Sequence, residues 1–368
     1  MPATAARTER PMRAVVLLCA ALLLGGCNGS FSPRYYWQAA SGQLELLRLA
    51  RPVTDIHAEP ATPQQLRERL ALATEIRNWA SAEMALPDNG SYRIYADLRR
   101  PFVVWNVFSA DPLSVRPKQS CFPIAGCVSY RGFFGEADAR AHADELSKTG
   151  LDVHVSGVAA YSTLGWFDDP LLNTFMHYPE TELVRLIVHE LSHQIVYVRD
   201  DTEFNESFAS AVEEEGVRRW LARPGKEGLR AGFERAQKMR IDFAALVLKY
   251  RDALDSVFRS GLPDAAKLAR KSALISELGN EYRTLRDDEW RGFRGYDRWF
   301  AQDINNATLA SIGLYAGAKP AFARLIERSA DMPAVWREMH ELAKLPRDER
   351  RARLDLPPMK SQPEDSPG

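Results

Sequence analysis

The sequence predicts an α+β protein that is mostly α-helical, with a small strand-rich first half and a helical second half. Between residues 90 and 170, short runs of aromatic and β-branched residues are separated by turn residues, which is typical of short strands. From Glu180 onward, apolar residues recur at helical spacing with few interruptions. The 368 residues are 45% hydrophobic and 26% charged, so the chain can bury a large core.

Charge and a targeting signal limit the partners and the compartment. Lysine and arginine number 48 against 49 aspartates and glutamates, so the net charge is -1 and no basic excess would attract nucleic acid. Arginines at the amino terminus precede an apolar run from Ala14 to Leu24, which is typical of a signal-peptide core and short for a membrane-spanning helix. We therefore expect residues 1–26 to be a signal peptide.

The apolar run ends in Leu-Gly-Gly-Cys27, which resembles the lipobox of bacterial lipoproteins. The resemblance implies a mature protein that begins at a lipidated Cys27 and is anchored to a membrane, facing the periplasm. Asn28 stands in place of the aspartate associated with inner-membrane retention, so the resemblance favours the outer membrane. The alternative is a chance cysteine after an ordinary secretion signal.

Two cysteines remain in the body of the chain, Cys121 and Cys127. In an oxidising compartment this isolated pair predicts a disulfide that fixes the shape of a local loop. Because the closed loop is short, its entropic stabilisation of the fold is smaller than that of a long-range bridge. A cysteine metal site is the alternative, but no further cysteine or histidine stands at the close spacing that zinc needs.

Cap and turn residues place the other elements along the chain. Thr62 and Pro63 favour a helix start, and helically spaced apolar residues continue to about Leu86. Further elements are expected in this order: two strands within 92–108, a helix over Glu136–Thr149, a half-buried strand over 152–158, an antiparallel helix pair over 226–259 and 264–290, and shorter helices to about Ala343. The proline-rich tail from Pro346 to Gly368 predicts disorder.

Residues able to bind a metal are concentrated between residues 189 and 206. His189-Glu-Leu-Ser-His193 is an H-E-x-x-H motif, and its four-residue spacing puts both imidazoles on one face of a helix, about one turn apart. Such a pair can bind one zinc ion, while Glu190 can take a proton from the attacking water. Two solvated histidines on a surface helix are the alternative, which apolar neighbours such as Ile187 and Ile195 disfavour.

A catalytic zinc needs a third protein ligand and keeps one position open. The nearest acids downstream are Asp200, Asp201, Glu203, Glu206 and Glu213. After a polar turn, Thr202 could cap a second helix, over Glu203–Leu221, that folds back beside the first. We choose Glu206 because the small Ala209 and Ser210 on its side of that helix would let the backbone approach the metal.

The segment Phe204-Asn-Glu-Ser-Phe-Ala209 resembles the N-E-x-x-A segment that carries the third ligand of gluzincin metallopeptidases, among them alanyl-type aminopeptidases. The resemblance implies a zincin-like fold with Glu206 as a ligand. It is local, because the gap between His193 and Glu206 is shorter than in those enzymes and their G-x-M-E-N amine-binding segment is missing from this sequence. Exopeptidase specificity is therefore not implied.

A resemblance over most of the chain, from near residue 32 to about 343, is to a family of bacterial lipoproteins described as predicted aminopeptidases. Its segments are residues 121–134, residues 157–167, the H-E-L-S-H helix and Asn305-Asn306-Ala307. Because that family is named from its zinc motif, the resemblance implies a metallopeptidase acting on peptides rather than any particular substrate.

Two further residues are predicted at the site. The segment from Val153 to Ser162 is extended and close in sequence to the metal helix, which makes it the candidate edge strand for pairing with a peptide. Tyr161 would then donate to a developing oxyanion, or else pack at the strand end with its hydroxyl in water. Asn205, beside the third ligand, is predicted to bind the substrate main chain or to orient a histidine.

Together these observations predict a zincin-like metallopeptidase with one Zn²⁺ per chain. The expected organisation is a signal peptide (1–26), one domain (27–343) with a strand-rich part (90–170), metal-site helices (180–221) and a helical part (225–343), and a disordered tail (344–368). The predicted function is hydrolysis of peptides in the periplasm by an aminopeptidase. Two alternatives stay open: a zinc endopeptidase of the cell envelope, and a non-catalytic zinc-binding lipoprotein that acts as an interaction module through its long charged helices.

Overall fold

The computed structural model describes residues 33–122, 126–316 and 318–356. The fold is α+β, as expected, with helices in the majority and short strands. The signal peptide, Cys27 and residues 357–368 of the tail lie outside the described residues. Among the described residues, no helix is both long and apolar enough to cross a membrane.

The helices are α1 (Pro33–Leu49), α2 (Val53–Ala58), α3 (Gln64–Met84), α4 (Glu136–Lys148), α5 (Glu180–His193), α6 (Thr202–Leu221), α7 (Glu227–Phe258), α8 (Asp264–Thr284), α9 (Asp297–Phe300), α10 (Asn306–Ala316), α11 (Lys319–Arg328), α12 (Met332–Lys344) and α13 (Arg347–Arg353). A π-helical turn, Leu285–Glu289, follows α8. The strands are β1 (Arg51–Pro52), β2 (Ile94–Ala96), β3 (Val104–Ala110), β4 (Ser120–Phe122), β5 (Gly126–Val128), β6 (Arg131–Phe133), β7 (Asp152–Val158) and β8 (Leu171–Leu172).

In the described residues the strands form two three-stranded sheets and a hairpin. The first sheet has the order β1-β2-β8, with β8 parallel to β2. The second has the order β6-β3-β7 and is antiparallel, so that Val104 pairs with Val158 and Asn106 with Gly132. Strands β4 and β5 form the hairpin, in which Cys121 lies opposite Cys127. Strand β7 is thus an edge strand of the second sheet.

Several elements lie where the sequence predicts them, among them α3, α4, β7 and the long pair α7 and α8. In that pair the Tyr250 hydroxyl of α7 bonds to Glu281 of α8, 2.8 Å away. The helices α1 and α2 and the two-residue strands β1 and β8 were not predicted. Strands this short carry too few residues to show an alternating pattern.

The sequence analysis predicts a disordered tail, but the tail begins with a helix, α13. The prediction of disorder is corrected for these residues. Arg350 of α13 is 4% exposed, and its guanidinium donates to Asp201 at 2.7 Å. Arg351 donates to Glu203 at 2.7 Å. These ion pairs join α13 to the start of α6, so the ordered domain extends beyond the expected boundary at residue 343.

The largest hydrophobic core lies around α5 and α6. Ile187 of α5 and Phe208 and Val212 of α6 are completely buried in it. Gly216 of α6 lies directly against Val188 of α5, where an added Cβ would stand 3.0 Å from a valine methyl carbon. The two helices therefore approach closely, which brings their metal-site residues side by side.

Candidate metal centre

The carboxyl end of α5 presents two histidines to one point. Helix α5 ends at His193, and His189 lies one turn before it. The Nε2 atoms of the two rings are 3.2 Å apart. Their side chains are 13% and 8% exposed, for His189 and His193 respectively, so both rings are largely shielded from solvent.

Helix α6 brings Glu206 to the same point. The helix is capped by Asp201, whose carboxylate accepts from the backbone N–H of Phe204 at 3.2 Å, and not by Thr202 as expected. Glu206 Oε2 lies 3.4 Å from His189 Nε2 and 4.0 Å from His193 Nε2. One donor atom from each of the three residues lies within 4.8 Å of the other two. The structure thus assembles the three side chains that the sequence selected.

This donor set fits a zinc ion. Two imidazole nitrogens and a carboxylate oxygen are a combination that catalytic zinc sites use, with a fourth position open. Burial lowers the pKa of His193 to about 4, which keeps its ring neutral as a ligand must be. Burial acts against ionisation of Glu206, but the hydrogen bond from His189 and the nearby histidine charges outweigh it and lower its pKa.

The surroundings of His189 favour positive charge. Burial disfavours the imidazolium, but hydrogen bonds to Glu206 and Glu213 outweigh it and raise the pKa of His189 well above its usual range. The same two carboxylates would stabilise a cation bound beside this ring, because attraction between opposite charges is strong where water is excluded.

Glu213, one of the acids considered as third ligand, lies behind His189 instead. Its Oε2 is 2.8 Å from His189 Nδ1, and its Oε1 accepts from the Arg185 guanidinium at 2.5 Å. A carboxylate in this position fixes the tautomer and the orientation of a ligand histidine. Among the described residues His193 has no equivalent partner, since its Nδ1 is buried and unpaired. Glu213 follows Glu206 by seven residues, a spacing that places it on the same helix face.

We expect Glu213→Gln to weaken zinc binding by about 10- to 100-fold, because a neutral amide supports the histidine less well than a carboxylate. Competition with a chromogenic chelator measures the zinc Kd. Glu215→Gln is the matched control, since Glu215 lies on the same helix and pairs with Arg218 and Arg219. An unchanged Kd in Glu213→Gln would show that this carboxylate does not support the metal site.

Glu190 lines the same pocket as the three donors. Burial raises the pKa of its carboxyl to about 8, although the charge of His189 acts in the opposite direction. A carboxyl group with a pKa near the working pH can both accept and return a proton. The position and the chemistry of Glu190 therefore suit the general base that the motif predicts.

The pocket has a volume of about 360 Å³ and is built from several parts of the fold. Val158, the last residue of β7, and Ser162 beyond it both line the pocket, together with Val104 and Asn106 of β3 and Gly132 of β6. The hairpin β4–β5 contributes another wall, and its two cysteines form a disulfide with an S–S distance of 2.05 Å. Asp200, in the turn after α5, accepts from the backbone N–H of Cys127 at 2.6 Å. The hairpin is therefore attached to the metal-site helices.

A family model described as "Putative aminopeptidase" matches residues 34–354. The chain belongs to this aminopeptidase family. No curated protein and no solved structure matches the chain. The family match extends from α1 to the residue after α13 and so includes every wall of the pocket and both metal-site helices.

In this member of the aminopeptidase family, Asn205 lies outside the pocket. The prediction that it binds the substrate is therefore corrected. It is 2% exposed. Its amide accepts from the N–H of Val198 and donates to the carbonyl of Val198, both at 2.8 Å. Asn205 therefore closes the turn between α5 and α6 and positions Glu206 through the backbone.

We expect Asn205→Ala to lower the free energy of unfolding by about 2 to 4 kcal/mol, because two buried backbone groups of Val198 lose their partner. Chemical denaturation followed by circular dichroism measures the change. The exposed Asn280→Ala, on α8, is the control and should stay within about 0.5 kcal/mol of wild type. Equal stability of the two variants would contradict the role in the turn.

Four tyrosines line the pocket of this aminopeptidase-family protein: Tyr35, Tyr130, Tyr161 and Tyr197. Tyr161, the predicted residue, lines the pocket, and its hydroxyl donates to Gln43 of α1. Tyr130 and Tyr197 also line it and were not predicted to act there. Burial raises the pKa of both, and the negative charge of Glu206 raises it further. Tyr197 follows His193 by four residues but lies beyond the end of α5, so helical spacing could not have indicated it.

Proposed function

We propose that this protein is a zinc-dependent peptidase of zincin-like design, with zinc bound by His189, His193 and Glu206. The observation that carries the proposal is the convergence of these three donors within 4.8 Å, in a pocket that also contains Glu190. Membership of the aminopeptidase family supports a peptide substrate. One zinc ion per chain follows from the single cluster of this kind in the described residues.

Each residue of the site has a defined task in peptide hydrolysis. When bound, zinc supplies a Lewis acid that polarises the peptide carbonyl and acidifies water. Glu190 accepts a proton from the attacking water and returns it to the leaving amine. Glu213 holds the ring of His189 in one orientation. Tyr161 is the proposed donor to the developing oxyanion, for which its hydroxyl would exchange Gln43 as its partner, and Tyr130 lines the same pocket.

The family description favours an aminopeptidase, and one observation favours an endopeptidase. Among the described residues that line the pocket, Glu190 and Glu206 are the sole carboxylates. Both are assigned to the metal chemistry, so neither is left to bind the free α-ammonium group of a substrate. The position of the cut distinguishes the two activities directly.

We also propose that the protein is a periplasmic lipoprotein, anchored through Cys27 and with the outer membrane favoured. The Cys121–Cys127 disulfide supports an oxidising compartment. Cell fractionation tests the anchor: Cys27→Ser should move the protein from the membrane to the soluble periplasmic fraction. Retention of the variant in the membrane would contradict lipidation at this residue.

Zinc analysis and digestion of a mixed peptide library, on soluble protein that starts after Cys27, test the enzymatic proposal. We expect one zinc per chain, cleavage that a chelator abolishes, and recovery when zinc is restored. Products shortened one residue at a time from the amino end indicate an aminopeptidase, whereas internal cuts indicate an endopeptidase. Zinc-loaded protein that cleaves no peptide would contradict the proposal and favour the interaction module.

A further inference from the structure

Away from the proposed metal donors and Glu190, most of the pocket wall is apolar or aromatic, with Asn106 and Ser162 as polar exceptions. Its lining includes Val104, Phe122, Val128, Phe134, Val158 and Leu164. No lysine or arginine is among the described residues that line it. A volume of about 360 Å³ is at the lower end of the ~300–1,000 Å³ typical of small-ligand pockets. The space is thus suited to one or two residues of an extended peptide.

Helix α1 forms one side of this wall and is held firmly in place. Gly42 lies directly on Phe134, and an added Cβ would stand 2.2 Å from the ring. Tyr35 stacks on Phe122 with ring centroids 5.5 Å apart, and the Arg131 guanidinium lies 4.0 Å from the Tyr35 ring centre. These contacts join α1 to β6 and to the disulfide hairpin. Contacts within the fold therefore hold this side of the wall in place.

We propose that this wall is a specificity subsite for a large apolar or aromatic side chain of the substrate, next to the bond that is cut. The inference rests on the proposed peptidase function for its site and extends it to the class of substrate. Apolar side chains gain free energy in proportion to the area that they remove from water. A lysine or arginine side chain would lose its hydration there, and the carboxylates among the described lining residues, Glu190 and Glu206, are already assigned to the metal chemistry. Glu190 and Glu206 would in addition repel an acidic side chain.

Ala39 offers a direct test because it is the small residue through which α1 contributes to the pocket. A larger side chain at this position would occupy the subsite. Ala40, the next residue on the same helix, is exposed, so Ala40→Leu is a matched control for the same substitution outside the pocket. Leu164→Ala, in the loop after β7, enlarges the subsite and provides a second variant that does not depend on how α1 tolerates leucine.

The experiment measures binding and cleavage separately, on zinc-loaded full-length protein in detergent. The probes are alanine tetrapeptides in which Phe, Leu, Lys or Glu replaces each position in turn. Calorimetric titration of the Glu190→Gln variant, in which slow cleavage is expected, gives each Kd. Steady-state kinetics of the wild-type protein give each kcat/KM. We expect Phe or Leu at one position to improve the Kd by about 10- to 200-fold over alanine, the range for filling an apolar pocket, and Lys and Glu to give no gain.

In the Glu190→Gln background, Ala39→Leu should lose most of the preference for Phe and Leu peptides while its zinc stays bound. Ala40→Leu should retain both the preference and the zinc. Leu164→Ala should lower the ratio of the affinity for the Phe peptide to the affinity for the alanine peptide. Equal binding of Phe, Lys and Glu peptides, or an unchanged preference in both pocket variants, would overturn the subsite even if peptides are cut. Conversely, selective binding without cleavage by wild type would retain the subsite and refute the proposed peptidase activity.

Discussion

Glu190→Gln is expected to retain one zinc ion per chain and to lower kcat by about 10²- to 10⁴-fold. Glutamine keeps nearly the same shape, but its amide cannot accept the proton of the attacking water. Zinc should stay bound because Glu190 lines the pocket without being one of the three converging donors. Steady-state kinetics on a cleaved peptide, with metal analysis of the same sample, measure both quantities.

Glu180→Gln is the matched control for this substitution. Glu180 lies on the same helix, but its carboxylate bonds to Trp220 at 2.8 Å and to Lys226 at 2.6 Å, away from the pocket. Its kinetics should therefore stay close to wild type. A Glu190→Gln variant that keeps zinc and turns over like this control would mean that another group moves the proton.

His193→Ala is expected to lose both zinc and activity. It removes one of three donors that converge within 4.8 Å, so the loss of zinc affinity should exceed the ~100-fold expected for a supporting residue. Bound zinc stabilises the folded protein by about 2.7 kcal/mol when its concentration is 100 times the Kd. The rise in Tm that zinc produces in wild type should therefore disappear in the variant.

His177→Ala provides the comparison, because His177 is exposed and lies just before α5. It should bind zinc and show the same zinc-dependent rise in Tm as wild type. Thermal denaturation with and without added zinc, combined with metal analysis, separates loss of the ion from loss of the fold. Wild-type zinc content in His193→Ala would place the metal at other residues.

The parts of the site that could be predicted are those set by local spacing. His189 and His193 are four residues apart, and the helix geometry alone brings them together. Glu206 could be selected because a short turn returns the second helix along the first. The structure shows that this turn is held by Asn205 on Val198. Asn205 was selected because it stands beside Glu206, which suggested contact with substrate or with a histidine and not the role in the turn.

The parts that could not be predicted depend on contacts between distant segments. Helix α1 becomes a pocket wall because Gly42 lies on Phe134, more than ninety residues away, and no local pattern indicates that contact. The pair Asn305 and Asn306 was singled out by resemblance alone. In the structure Asn305 donates to the carbonyl of Val153 at 3.0 Å, and Asn306 donates to that of Asp111 at 3.0 Å. Asn305 thus attaches the start of α10 to β7, and Asn306 attaches it to the residue that follows β3.

Anomalous X-ray diffraction at the zinc absorption edge, from crystals of the zinc-loaded protein, tests the metal centre most directly. We expect one peak per chain, about 2.0–2.2 Å from Nε2 of His189, from Nε2 of His193 and from a carboxylate oxygen of Glu206. A zinc peak bound by other residues, with no peak between these three side chains, would contradict the assignment on which the proposed function rests.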